Sequence, residues 1–270
     1  MYFTVDEAGD GVGAQLFRKL SAIAWGIANQ YNYLHKRITG VHLSRNVEDP
    51  SQDEIEKINK IIDQFVINLG CDFFDPIKHL DIHHCMHKLE AVRDDASRCY
   101  SREVLKKISE AYPAKNPEYY GDHFNIAIHI RRGLDIESPY SEFYHLESTH
   151  KYRLIYDMSL YKNLINKLKI KYPQAKIHIF SWGNVDVGVE SDDMIYHITD
   201  NPTKFVEDFN ALATADLLVV GSSGFSMSAG FFNKNIVITN HDFCKILLAE
   251  NGLVALPLHW FEDCNYILGT

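Results

Sequence analysis

The sequence predicts an α/β fold built on parallel sheet. Three observations lead there. Short apolar runs recur along the second half of the chain, at 124–131, 176–181, 194–198, 216–220 and 236–239. Stretches with helical apolar spacing separate most of them, and Gly, Ser or Pro stand at several of the junctions. Strands apolar on both faces, alternating with helices, belong to parallel sheets covered by helices on each side.

In chain order, Tyr2 to Val5 is a short β-prone run leading to Gly9, Gly11 and Gly13. Leu16, Leu20, Ile23, Ala24 and Ile27 then repeat at helical spacing. Strand, glycine turn and helix is a phosphate-cradle layout, but the spacing is G-x-G-x-G and lacks the last glycine of a dinucleotide fingerprint. For the glycines alone, a tight turn that lets a helix pack on a sheet is the favoured reading. Gln15 puts a polar amide in the first helical turn, where it can face the same crevice. Residues 33–44 read as a second strand region. Asp53 to Leu69 is an amphipathic helix with Ile55, Ile58, Ile62 and Phe65 on one stripe.

Residues 70–121 are less regular and helical in pieces. His79, His83, His84, Cys85 and His87 fall there. His79/His83 and His83/His87 would share a helical face, as zinc ligands can, but no carboxylate motif or second ligand cluster accompanies them, so a solvated or partly buried histidine face is favoured over a metal site. Pro113 to Gly121 carries two prolines and a glycine and marks the boundary between residues 1–121 and 122–270. Beyond the strand at 124–131 comes a polar loop, 133–150, long enough to suggest function. A helix at about 152–172, strands at 176–181 and 194–198, a helix at 203–213 opened by Pro202, and a strand at 216–220 follow. A short helix, a strand at 236–239, a helix near 242–250 and an apolar segment at 253–258 complete the pattern.

Composition narrows the function classes. The chain has 270 residues, 46% hydrophobic and 23% charged, with a net charge of -9. That balance offers no broad basic surface to a nucleic acid. Five cysteines without paired spacing favour reduced thiols and a cytoplasmic setting. No run reaches the length of a membrane span.

Chemistry concentrates at two strand ends. Arg131 and Arg132 stand where the 124–131 run stops, and ligands of open α/β sheets bind at the carboxyl ends of strands. On the residues alone the pair is either a guanidinium fork for phosphate or a salt-bridged surface pair. Ser222, Ser223 and Gly224 form a small-residue turn opening a helix, a natural anion site. There is no P-loop lysine and no carboxylate cluster suited to Mg²⁺, so kinase and NTPase chemistry is disfavoured. A diphosphate held by arginines and backbone suits a nucleotide diphosphate as leaving group, and hence glycosyl transfer.

The motifs resemble those of the α-1,2-, α-1,6- and protein O-fucosyltransferase superfamily. His129-Ile-Arg131-Arg132 looks like its H-x-R-R motif, and Gly9 to Phe17 resembles its N-terminal glycine segment ending in Gln-Leu-Phe. Ile177 to Ser181 is similar to its I-F-S strand end, and Ala215 to Ser226 to its final A-D-x-x-V-x-S-x-S-x-F-S motif. The four occur in the family's order. Two departures stand out. Leu134 holds the place of the family's acid, with Asp135 one residue later, and Met227 and Ser228 replace tryptophans found in α-1,2-fucosyltransferases.

The resemblance implies a GT-B-like fold, two Rossmann-like domains with parallel sheets facing a cleft. Residues 1–121 would be the N-terminal α/β domain on the acceptor side, and 122–270 the nucleotide-sugar domain. The implied reaction is inverting, metal-independent transfer of a sugar, fucose from GDP-fucose, to a glycan hydroxyl. No cofactor beyond the donor is implied. Arg131 or Arg132 would bind the β-phosphate, His129 would lie near base and ribose, and Asp208 would match a guanine-binding acid. Ser222, Ser223 and Phe225 would line the nucleotide loop, with Gly11, Gly13 and Gln15 in the N-terminal segment. A general base on the acceptor side is expected from Asp135, Glu137, Glu142 or Glu147, with Glu137 or Glu142 preferred; alternatively the departing phosphate takes the proton. Other readings are a different donor such as UDP-xylose, or a non-catalytic nucleotide- or glycan-binding protein.

Overall fold

The computed structural model describes residues 2–5, 11–40, 51–78, 96–99, 101–130, 158–182, 185–199, 204–221 and 223–239. Strand β1 (Tyr2–Phe3) precedes helix α1 (Val12–Asn29), β2 (Asn32–His35), α2 (Gln52–Asn68) and β3 (Asp72–Phe73). Two helices, α3 (Ala96–Cys99) and α4 (Arg102–Ala111), and a 3-10 turn at Glu118–Tyr120 lead to β4 (Asn125–His129). Then follow α5 (Met158–Lys171), β5 (Lys176–Trp182), β6 (Met194–Thr199), α6 (Phe205–Thr214), β7 (Leu217–Val220), α7 (Gly224–Phe232) and β8 (Ile236–Thr239).

The strands form two parallel sheets, one ordered β1-β2-β3 and the other β6-β5-β4-β7-β8. The α/β class and the parallel pairing are as the sequence led us to expect. The first sheet lies before the 113–121 segment and the second after it. In the second sheet the chain runs outward from β4 through β5 to β6, then returns to the other side of β4 for β7. Strand order therefore reverses at β4/β7, the position where open α/β sheets leave a crevice.

Helix ends follow local chemistry. Ser51 and Glu54 form a reciprocal capping box at the start of α2, and Ser101 caps α4. The strand read at 33–44 is shorter in the structure: β2 covers Asn32–His35 and residues 36–40 are not strand, while 41–44 lie outside the described residues. Asn59, buried on α2, takes over the backbone of Ile38: the Ile38 N–H donates to Asn59 Oδ1 (2.9 Å) and Asn59 Nδ2 donates to Ile38 O (2.8 Å). A buried amide meeting both main-chain groups satisfies them without a neighbouring strand. The helix foreseen from Thr203 begins at Phe205. The segments 133–150, 152–157, 242–250 and 253–258 lie outside the described residues.

The two faces of the second sheet have different partners. Ile126, Ile128, Ile177, Ile179, Leu217, Val219 and Ile238 pack with α5 residues Leu164, Ile165 and Leu168. Ala127, Phe180, Leu218, Val220 and Val237 join a larger core that also holds α1, α2 and α4. Helix α7 is the centre of that core. Residues Ser226 to Phe232 are all buried, the pattern of a helix surrounded by protein. Phe231 meets Phe17 of α1 edge-on at 5.8 Å, while Phe232 meets Phe65 of α2 at 4.9 Å and stacks on Tyr112 at 4.2 Å. The helices associated with the two sheets therefore share one apolar core, joined through two adjacent phenylalanines.

Candidate functional site

The carboxyl edge of the second sheet brings several of the expected residues together. His129 is the last residue of β4 and is buried. Ile130 continues the chain past it, its N–H donating to Phe180 O at 2.9 Å, and Arg131 and Arg132 come next in sequence. Those two arginines, Asp135, Glu137, Glu142, Glu147 and Ser222 lie outside the described residues, as do the histidines at 79–87. Among the described residues, no group of three or more His, Cys, Asp or Glu is placed to hold a metal ion.

The glycines of the motifs have a packing reason. A Cβ on Gly221 would sit 2.4 Å from His129 O and 2.9 Å from its Nδ1, so only glycine lets the loop after β7 lie against the end of β4. A Cβ on Gly13 would sit 2.6 Å from Phe225 N and 2.8 Å from its Cα. On Gly224 it would sit 3.1 Å from Gly13 O. Gly13 and Gly224 thus form a close crossing between the first turns of α1 and α7, held also by Ser228 Oγ donating to Gly13 O at 3.4 Å. Gly11 precedes α1 as its N-cap, with no side-chain cap. Gln15 is buried and turns its amide to donate to Gly40 O at 2.8 Å. Gly13 has a packing role, but against the first turn of helix α7 rather than against a sheet.

This crossing places helix starts side by side. Ser223 caps α7 by accepting from Phe225 N at 3.3 Å. The Phe225 ring meets Phe205, the first residue of α6, at 4.6 Å and His129 edge-on at 5.6 Å. Helices α1, α6 and α7 thus bring their first turns together around Phe225, beside the end of β4. Each first turn carries N–H groups without intrahelical acceptors and the positive end of a helix dipole. Three such ends brought together make the neighbourhood suited to an anion.

Asp208 lies in the first turn of α6. Burial, with Glu207 adding repulsion, pushes its carboxyl up to about 7, against the opposing pull of Lys204. Tyr119, from the 3-10 turn, feels the Asp208 and Glu207 charges, and burial raises its phenol well above the usual range. Its ring lies 4.6 Å from that of His197. His197 stacks on Phe180 at 4.5 Å with an interplanar angle of 8°. By register, His129 is paired with Phe180, and Phe180 with His197. His129, Phe180 and His197 therefore form one row across β4, β5 and β6, on the face that α6 and α7 cover.

Behind this row, His178 and His197 are joined by a 2.9 Å contact between His178 Nδ1 and His197 Nε2. His178 Nε2 lies 3.2 Å from Asn125 Oδ1. Burial lowers both histidines to about 4, with each further discouraged by a neighbouring lysine, so both rings are neutral near pH 7. Sequence reasoning missed Tyr119, Asn125, His178 and His197. The available signal was His178 and Phe180 alternating on one strand, which places them on a common face.

No protein-family model matches the chain. No curated protein matches it. Among solved structures, it is similar to POFUT1 in its apo form, at 10% identity and a TM-score of 0.44, over 89% of this chain and 97% of that one. It is similar to the NodZ alpha-1,6-fucosyltransferase soaked with GDP-fucose, at 14% identity and a TM-score of 0.40, over 85% of this chain and 92% of that one. It is also similar to the fucosyltransferase NodZ from Bradyrhizobium, at 13% identity and a TM-score of 0.40, over 84% and 91% of the two chains. Among the described residues, no helix is long and apolar enough to cross a membrane.

Proposed function

We propose that the protein is a glycosyltransferase that moves a sugar from a nucleoside diphosphate donor to a glycan hydroxyl, with GDP-fucose as donor. The observation that supports this best is the convergence of three helix starts around Phe225 at the strand-order reversal, beside the strand that runs into Arg131 and Arg132. Positive ends of helices aimed where a diphosphate departs stabilise the charge that develops on it. The guanidinium groups of Arg131 and Arg132 would add bidentate hydrogen bonds to the same oxygens.

In the reaction the acceptor oxygen bonds to the anomeric carbon as that carbon's bond to the diphosphate oxygen breaks. The acceptor's proton passes to a carboxylate, for which Glu137 or Glu142 is our choice over Asp135. Attack opposite the leaving group inverts the anomeric centre. No step uses a metal ion. His129, Ser222, Ser223 and Phe225 would line the nucleotide, and Asp208 would take its base.

Incubation of the purified protein with GDP-fucose, other GDP-sugars and UDP-xylose, followed by diphosphate release and product linkage, tests this reading. We expect turnover with GDP-fucose, unchanged after EDTA treatment, and loss of donor binding in Arg132→Ala. Nucleotide binding without turnover on any donor and acceptor would instead support a binding protein. Activity that EDTA abolishes would overturn the metal-independent route.

A further inference from the structure

We propose that the β6 edge of the second sheet is a docking site for an extended, basic segment of another protein, which pairs with β6 as an added strand. The inference stands apart from the nucleotide-sugar reading and does not depend on it. Strand β6 ends the order β6-β5-β4-β7-β8, so one of its sides meets no other described strand. Its pairing with β5 fixes which main-chain groups lie on that side. Ile177 is in register with Met194, and the Ile177 N–H donates to Asp193 O at 2.8 Å. In a parallel ladder the bonded residues alternate. Asp193, Ile195 and His197 therefore turn their peptide groups toward β5, while Met194, Tyr196 and Ile198 turn theirs outward. Ser191 O takes the Met194 N–H at 3.0 Å. Tyr196 and Ile198 keep both N–H and C=O for a further strand, with no main-chain partner among the described residues.

The side chains of these residues are exposed as well. Met194, Tyr196 and Ile198 lie on the face where Ile177 and Ile179 pack with α5. Tyr196 is nevertheless 38% exposed and Ile198 36%. The connection from β5 to β6 accounts for this. Its residues 185–193 form no helix, so they cover the sheet only in part. Val185 and Val187 join the core beneath α5, and the Tyr196 hydroxyl hydrogen-bonds the Val187 backbone. What is left is an open groove of about 410 Å³ between Val185 and Val189 on one side and Met194, Tyr196 and Ile198 on the other. A strand paired with β6 carries every second side chain on the face of this groove.

Charge selects the occupant. Asp186, Glu190 and Asp192 also line the groove, and none of them has an ion-pair partner among the described residues. The lysines that reach this loop are committed elsewhere, Lys169 to Ser191 and Lys176 to Asp193. A second copy of the chain would set the same carboxylates against each other, and like charges oppose that pairing. A segment alternating apolar residues with Lys or Arg meets the groove, the carboxylates and the outward peptide groups together.

The probe is a fluorescein-labelled octapeptide of alternating Lys and Val, titrated with the full-length protein and followed by anisotropy and amide NMR. We expect saturable binding that shifts the Tyr196 and Ile198 amide signals and slows their hydrogen exchange. Glu190→Lys combined with Asp192→Lys should weaken binding about tenfold or more, and so should Ile198→Lys. Thermal unfolding checks that each variant folds. Two further peptides test the wild-type protein directly. One alternates Glu and Val, and the other is the Lys-Val peptide N-methylated at alternate residues, made in both registers. The Glu-Val peptide should not bind, and the register that loses the bonds to β6 should bind at least about tenfold more weakly. Absence of Lys-Val binding would overturn the proposal, as would equal binding of the Glu-Val peptide or of both methylated registers. Binding that leaves the Tyr196 and Ile198 amides unmoved would place the peptide elsewhere and overturn it too. A concentration-dependent dimer that Ile198→Lys abolishes would assign the edge to a second copy instead.

Discussion

Replacing Gly13 with alanine puts a methyl group into space that the backbone of Phe225 already occupies. The added carbon would stand 2.6 Å from Phe225 N, 2.8 Å from Phe225 Cα and 3.0 Å from Phe225 Cβ. Two of these three are main-chain atoms, so no rotamer change relieves the contact, and α1 and α7 must move apart. Overpacking of this kind costs about 1–3 kcal/mol. Alanine recovers up to about 1 kcal/mol of helix propensity, less near the first turn, so a net loss of roughly 1–2 kcal/mol is expected. Because α7 also positions Ser223 and Phe225, GDP affinity should fall more than stability does. Urea unfolding and calorimetric GDP binding measure the two effects. Gly40→Ala serves as control, since nothing lies within 4 Å of a Cβ there. A Gly13→Ala variant as stable as the control, with undiminished GDP binding, would refute the crossing as the reason for this glycine.

Phe232→Ala should cost about 3–5 kcal/mol, because it empties the place where Phe65, Tyr112 and Phe209 meet; a loss under about 1 kcal/mol in urea unfolding would show that α7 is not the joint between the two halves. Asp208→Asn should stabilise the unliganded protein progressively as pH rises. The carboxyl titrates near 3.8 when unfolded and at about 7 when folded, so between those values the unfolded chain has released a proton that the folded one keeps. Stability from this group therefore falls as pH rises from about 4 to 7 and is flat above, with a difference of at most about 4 kcal/mol. Unfolding midpoints of wild type and variant should diverge across that window, and parallel curves would contradict the assigned burial. The same substitution should weaken GDP binding at pH 8, where the carboxylate is available to accept.

The sequence by itself determined the class of fold. Apolar runs such as Ile126 to Ile130 and Leu217 to Val220 must be buried on both faces, and the helical stretches between them leave parallel pairing as the way to do it. It also marked the strand ends at His129 and Gly221, because side-chain chemistry changes there abruptly. Tertiary structure decided how those parts serve one another. Gly13 and Gly224 look like two turn glycines far apart in sequence, and only the crossing of α1 and α7 shows that Gly13 makes room for Phe225 and Gly224 for Gly13. Among the described residues the strand read at 33–44 holds only as far as His35, and at Ile38 it is Asn59, more than twenty positions away, that satisfies the backbone a neighbouring strand would otherwise meet. His178 and His197 could be assigned a face by period-2 alternation, but not a partner. Their contact depends on the register between β5 and β6, which is set by the packing of whole strands rather than by any local preference.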